Sequence, residues 1–268
     1  MNGYHVMLGP MDLIFAAILI VAAGGISMVL SLGIHKSLYV SAIRMIIQLL
    51  LVGYILGYVF HQGSPLLVGI VLLVMLGAAS YEIAARQENR KTRRYGLNFM
   101  ILTVSSVGVG AIGLVGLLSA GAPHVLDAQH IIPMFGVILG SSMNSTALAL
   151  NAYTRQIVQQ SRVIETRLAL GENFRQSTSD IVKSAAVSGA IPLVNQMAGA
   201  GLITLPGIMS GQLLVGQSPV QAAFYQIFLM ALLALVSVIC VTLVITVFSR
   251  RVSDHRQRLR LDRILDFD

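Results

Sequence analysis

A chain of 268 residues that is 56% hydrophobic and only 11% charged carries less than half the charged share of about 25% usual in soluble domains. That balance suits lipid rather than water, and the formal net charge of +7 is better read from where the basic residues fall than as a nucleic-acid signal. The single cysteine, Cys240, has no partner within the chain, which excludes an intrachain disulfide framework.

A bilayer core is roughly 30 Å thick and a helix rises about 1.5 Å per residue, so each span needs about 20 mostly apolar residues. Seven apolar segments fit that requirement, at about 12–34, 38–60, 65–85, 97–118, 131–150, 190–215 and 220–248. No Lys or Arg precedes Leu13, and the run to Ile34 is too long for the apolar core of a signal peptide, which predicts a retained first span. Lys36 follows the first segment. Arg86, Arg90, Lys91, Arg93 and Arg94 follow the third, and Arg155, Arg162, Arg167, Arg175 and Lys183 follow the fifth. Arg250, Arg251, Arg256, Arg258, Arg260 and Arg263 follow the seventh. The alternate connectors, 1–11, 61–64, 119–130 and the stretch near Gly216, carry none. Positive charge is retained on the cytoplasmic side. The expectation is therefore an all-α polytopic transmembrane bundle of about seven spans, with the N-terminus outside and the C-terminus cytoplasmic. It forms one transmembrane domain over 1–268 with a basic tail over 250–268.

Within the spans the second carries Arg44, which needs a reason because an ionisable side chain at mid-membrane costs about 2.5 to 3.5 kcal/mol on insertion scales. Glu82 near the end of the third poses the same question. They either pair with each other as a cytoplasmic gate or cation entry point, or Arg44 snorkels while Glu82 pairs with Arg86 at i,i+4. Gln48 lies one turn from Arg44 on the same face. Asn144, Asn195 and Gln196 are the other amides at membrane depth, and each serves either helix–helix hydrogen bonding or a transport pathway. Gly53 and Gly57 form a GxxxG pair, and Gly108, Gly110, Gly113 and Gly116 thread the fourth span, as close helix packing requires. The sixth segment is interrupted by Pro192, Asn195, Gln196, Pro206, Gly207 and Gly211. The helix break is placed at Pro206, Gly207 and Gly211, because broken helices are tolerated where protein covers the exposed backbone.

Of twelve methionines, Met134, Met143, Met197 and Met209 are spaced as adaptable core packing rather than as soft-metal ligands. His124, Asp127 and His130 give an H-x2-D-x2-H spacing in an outer connector, read either as a divalent-ion site or, lacking a fourth ligand, as an ordinary polar loop. The six arginines from Arg250 to Arg263 lack interleaved aromatics and are assigned to anionic lipid headgroups, not to nucleic acid.

The stretch 151–183 is too long for a turn and too polar for the bilayer. In it, Glu165-Thr-Arg-Leu168-Ala169-Leu170-Gly171 places a glutamate six residues before a glycine, with Ile181 ten further on. This resembles the EAA loop of ABC-transporter permeases, which implies that Glu165, Leu168, Ala169, Leu170 and Gly171 form a helix–turn–helix knob docked on an ATPase. Thr166 and Arg167 stand where that loop has alanines. Three further blocks narrow the resemblance: Arg44-Met-Ile-Ile-Gln48-Leu-Leu-Leu-Val-Gly53-Tyr, Ile132-Pro133-Met-Phe-Gly136-Val-Ile-Leu-Gly140, and Leu205-Pro206-Gly207-Ile-Met209-Ser-Gly211-Gln212 followed by Pro219-Val-Gln-Ala-Ala-Phe-Tyr-Gln226. Together these resemble the FetB-type permeases, which are similar to the membrane subunit of plant aluminium-tolerance ABC transporters. Ser141 and Ser142 depart from the asparagine usual there after Gly140.

The resemblance implies a permease of the bacterial inner membrane that exports iron or a related metal ion. It also implies pairing with ABC ATPase subunits, with ATP and magnesium on the partner and no cofactor on this chain. Because seven spans are few for a full pathway, two copies, or a copy and a homologue, are expected to form it, a homodimer being the expectation taken. No G-x4-G-K-[ST] phosphate loop occurs in the sequence, consistent with an ATPase on another polypeptide. The alternative is a secondary transporter of a small solute driven by an ion gradient. An enzyme has no zinc or nucleophile motif to support it.

Overall fold

The computed structural model describes residues 10–87, 95–119, 127–254 and 256–264. Ten α-helices can be traced among them: α1 (Pro10–Val29), α2 (His35–Gln62), α3 (Pro65–Ala85), α4 (Tyr95–Ser119), α5 (Ala128–Gln159), α6 (Ser161–Ala169), α7 (Phe174–Ser177), α8 (Ser179–Gly199), α9 (Gly207–Leu214) and α10 (Pro219–Val252), before a closing 3-10 turn at Leu261–Arg263. Two isolated β-bridges are the remaining regular pairings, and no strand forms among the described residues. Helices α2, α3, α5 and α10 are long and apolar enough to cross a membrane, and shorter apolar stretches lie at Leu13–Val29 and Met100–Gly113. An all-helical, multi-span membrane protein is what the composition demanded.

The chain divides into two units, Met1–Ser64 and Pro65–Asp268. In the first, α1 packs on α2. Gly24 lies against the Tyr39 ring, where a Cβ has no room, and the Tyr39 hydroxyl donates to the Val21 carbonyl at 3.2 Å. Most of this unit's large apolar side chains point outward, as they do when the solvent is hydrocarbon. α2 ends at Gly63, whose φ of +62° is the left-handed conformation and whose N–H closes on Val59.

The second unit is built around α5 and α10, each with half of its apolar window buried. α5 contacts α3, α4, α8 and α10, while α10 contacts α4, α5, α8 and α9. Along α10, Leu229, Leu233, Val236, Val244 and Phe248 recur at helical spacing and are buried. The Phe248 ring meets Tyr153 of α5 edge-on, with centroids 6.5 Å apart. Gly189 marks the tightest approach of α8 to α5: a Cβ there would stand 2.7 Å from the Ser145 carbonyl oxygen and 2.8 Å from the Ala149 Cβ.

Two boundaries differ from the sequence reading. α5 continues to Gln159 and α8 begins at Ser179, so the connector between the long helices is shorter than the polar stretch 151–183; backbone hydrogen bonding extends a helix beyond its apolar run. α8 also continues through Pro192, Asn195 and Gln196 to Gly199. The helical run is broken instead at Ala200–Pro206, where Gly201 takes φ +86° and donates to the Thr204 carbonyl at 2.9 Å. Pro206 and Gly207 therefore start α9, and Gly211 lies inside it rather than at a break.

Candidate functional site

The connector between α5 and α8 folds as a helical knob. In α6, Ile164 is buried and Leu168 packs against the core, while Glu165, Ala169 and Leu170 are exposed. α6 ends because residue 171 is glycine. Gly171 has φ +96°, its N–H donates to Leu168 O and that of Glu172 to Arg167 O, both at 3.1 Å. This pair of bonds is the Schellman closure that satisfies a helix's last carbonyls. Asn173 then starts α7 with reciprocal bonds: its side chain accepts from the Gln176 N–H at 2.9 Å, and Gln176 Oε1 accepts from the Asn173 N–H at 3.1 Å. Across the turn the Arg167 guanidinium reaches Asp180 in the first turn of α8 at 3.2 Å. Leu170, 81% exposed at the tip, is an apolar side chain held out on a stiffened turn.

The C-terminal tail braces this knob. Gln257 Oε1 accepts the backbone N–H of buried Phe174 at 2.8 Å. The tail holds its own shape: Asp254 accepts from the N–H groups of Arg256 and Arg258, both at 2.9 Å. Arg263 donates to the Arg251 carbonyl at 2.9 Å, and Ile264 is buried. Arg260 makes a two-pronged contact with Asp262 at 2.9 Å, and those bonds hold the Asp262 carboxyl below the usual carboxylate range. The arginines of the tail thus have different occupations, which their spacing did not reveal.

A second polar group lies where α3 meets α5. Arg86 contacts Glu82 at 3.4 Å, the i,i+4 pair the sequence offered. It also donates to Asn144 Oδ1 at 2.7 Å, and Asn151 donates to the Arg86 carbonyl at 3.2 Å. Glu82 and Asn144 are therefore brought together through Arg86, with Asn151 completing the cluster from two turns along α5. Asn144 and Asn151 are seven residues apart, so they share one helical face, a signal the sequence carried unread.

Arg44 and Gln48 both lie exposed on α2 in the first unit. Asn195 and Gln196 are exposed near the end of α8, six or more residues past Gly189 and so about 9 Å or more along the axis. Asn195 and Gln196 do not join the Arg86 cluster.

Deeper between α5 and α10 runs a seam of small polar groups. Ser141 and Ser237 are 3.2 Å apart, Ser142 donates to the Leu139 carbonyl at 3.0 Å, and Ser142, Thr146 and Cys240 are fully buried. Among the described residues no three His, Cys, Asp or Glu side chains gather as metal ligands. His124 of the H-x2-D-x2-H spacing lies outside the described residues.

Comparison with known proteins places these elements in a family. The model of the uncharacterised protein family UPF0014 matches residues 10–253. UPF0014 membrane protein slr1647 of Synechocystis is 35% identical over 81% of this chain and 83% of its own length. The "Probable iron export permease protein FetB" of Escherichia coli is 30% identical over 81% of each. UPF0014 membrane protein STAR2 of Oryza sativa is 28% identical over 85% of this chain and 78% of its own. No solved structure matches.

Proposed function

Because the chain belongs to the UPF0014 family of membrane proteins, we propose that it is the membrane-spanning subunit of an ABC transporter that exports iron or a related metal ion. In this reading seven helices cross the bacterial inner membrane, with the N-terminus outside and the tail cytoplasmic. Two copies form the pathway, and ATP with magnesium is bound and hydrolysed on a separate ATPase. The metal assignment follows the name of the Escherichia coli relative.

The observation that carries the proposal is the knob at residues 161–177. A transporter that draws on a partner's ATP cycle needs a stiff element to carry closure of that partner to the spans. The knob is anchored inward by Ile164, Leu168 and Phe174 and continues directly into α8. Glu165, Ala169 and Leu170 form the contact surface, and Gly171 sets the turn. Arg44, Gln48, Glu82, Asn144, Asn195 and Gln196 are the pathway candidates. Of these, Glu82 and Asn144 share Arg86.

Affinity purification from the native membrane in mild detergent, with mass spectrometry of the co-purifying chains, tests the proposal. An ABC ATPase is expected with the unaltered chain and lost with Leu170→Glu. Its reproducible absence from the unaltered chain overturns the reading in favour of a gradient-driven carrier.

A further inference from the structure

A cleft of about 620 Å³ opens where the start of α8 meets the last turns of α10, beside α7. Three cations line it, Arg175, Lys183 and Arg250, together with the hydroxyls of Ser179 and Ser249 and the apolar side chain of Val182. The cleft has no acidic lining residue. Of the acidic residues nearest in sequence, Asp180 pairs with Arg167 and Asp254 with the backbone of its own loop, while Glu172 lies outside the cleft lining. Among the described residues none of the three cations makes an ion pair. Like charges gathered in one cleft repel unless an anion sits among them.

Arg250 is the first charge after the long apolar run of α10, which sets it at headgroup depth. The lining does not stop there. It extends along one face of α10 through Thr246 to Thr242, eight residues and so about 12 Å farther toward the hydrocarbon. An inorganic anion has no use for that upper part. A phospholipid fills it with its glycerol and first acyl carbons while its phosphate sits among the cations and hydroxyls.

We propose that the cleft between α8 and α10 is a binding site for an anionic phospholipid, whose phosphate is held by Arg175, Lys183 and Arg250. The site rests on α8 and α10 spanning the membrane and is independent of the ATPase partner. It also differs from general attraction to the basic tail, because Arg256 and Arg258 lie outside the cleft. A lipid wedged there ties the base of α8, just after the knob, to the base of α10.

The test is native mass spectrometry of the full chain reconstituted in phosphatidylcholine nanodiscs with and without phosphatidylglycerol. One retained phosphatidylglycerol per chain is expected. Each of Arg175→Gln, Lys183→Gln and Arg250→Gln should weaken retention about fivefold, and Arg256→Gln with Arg258→Gln should leave it unchanged. Co-purification of partner chains from native membranes should be the same for the double variant Lys183→Gln with Arg250→Gln, which leaves the knob unaltered, as for the unaltered chain. Equal retention by the triple cleft variant and the tail variant overturns the proposal. So does displacement of the lipid by inorganic phosphate, which would make this a free-anion site. Loss of a co-purifying partner with lipid retention intact also overturns it, making the cleft a protein-docking surface.

Discussion

Replacing Gly171 isolates the energetic contribution of the knob's turn. A Cβ at this position meets nothing within 4 Å, so substitution adds no clash and the cost is confined to the backbone. At φ +96° an L residue gives up about 1–2 kcal/mol. Asparagine tolerates left-handed geometry best among the side-chain-bearing residues, and a β-branched residue tolerates it worst. The expected order of knob integrity is therefore Gly, then Gly171→Asn, then Gly171→Ala, then Gly171→Val. A loss of 1–2 kcal/mol shifts the closed-to-open ratio of the turn by about 5–30-fold. Residue 171 lies outside the buried core of α5, α8 and α10, so the bundle's melting temperature should barely move. Hydrogen exchange at the amides of Gly171 and Glu172, which close the turn, reads the shift directly. The co-purified ATPase should decline in the same order. Equal exchange in the Asn and Val variants, or a Val variant with undiminished protection, would refute the argument that left-handed backbone at 171 holds the knob.

Gly189→Ala should cost about 1–3 kcal/mol by overpacking, because its Cβ would be forced against the Ser145 carbonyl. The loss is read as a lower melting temperature in detergent, with Gly211→Ala, whose Cβ meets nothing within 4 Å, as the unaffected control. A double-mutant cycle of Arg86→Gln and Asn144→Ala should give a coupling of about 0.5–1.5 kcal/mol, reduced by the 43% exposure of the Arg86 side chain.

The sequence disclosed most where composition and spacing act locally. An all-helical membrane chain follows from apolar runs of the right length, and the Glu-x5-Gly spacing marked the turn that Gly171 makes. What remained hidden depends on packing between distant segments. Pro192 reads as a breaker because its missing N–H costs one hydrogen bond, yet α8 carries through it and the helical run breaks at Gly201, a residue that only the three-dimensional path singles out. Arg86 was visible as Glu82's neighbour, but not as Asn144's, since 58 positions separate that pair. Gln257 of the tail similarly finds Phe174 across 83 residues.

Gln257 of the tail touches Phe174 of the knob, so the two share a side of the membrane, as the proposed transporter requires, and with α10 spanning it α8 has to cross as well. Twenty-one residues give a helix of about 31 Å, matching a hydrocarbon core of roughly 30 Å, although serines, Asn195 and Gln196 make it less apolar than α10. α9, with eight residues, reaches only about 12 Å and cannot substitute. Single cysteines at the two ends settle the matter, because the native Cys240 is fully buried and should stay silent. Leu202, 94% exposed in the turn after α8, should as Leu202→Cys react with a membrane-impermeant maleimide on intact spheroplasts. Glu172→Cys should react only after permeabilisation. If both react from the same side, α8 does not cross. The knob and the end of α10 would then face opposite compartments, which the bond between Gln257 and Phe174 forbids, and either the knob's cations or those from Arg250 to Arg263 would lie outside, against the retention of positive charge in the cytoplasm.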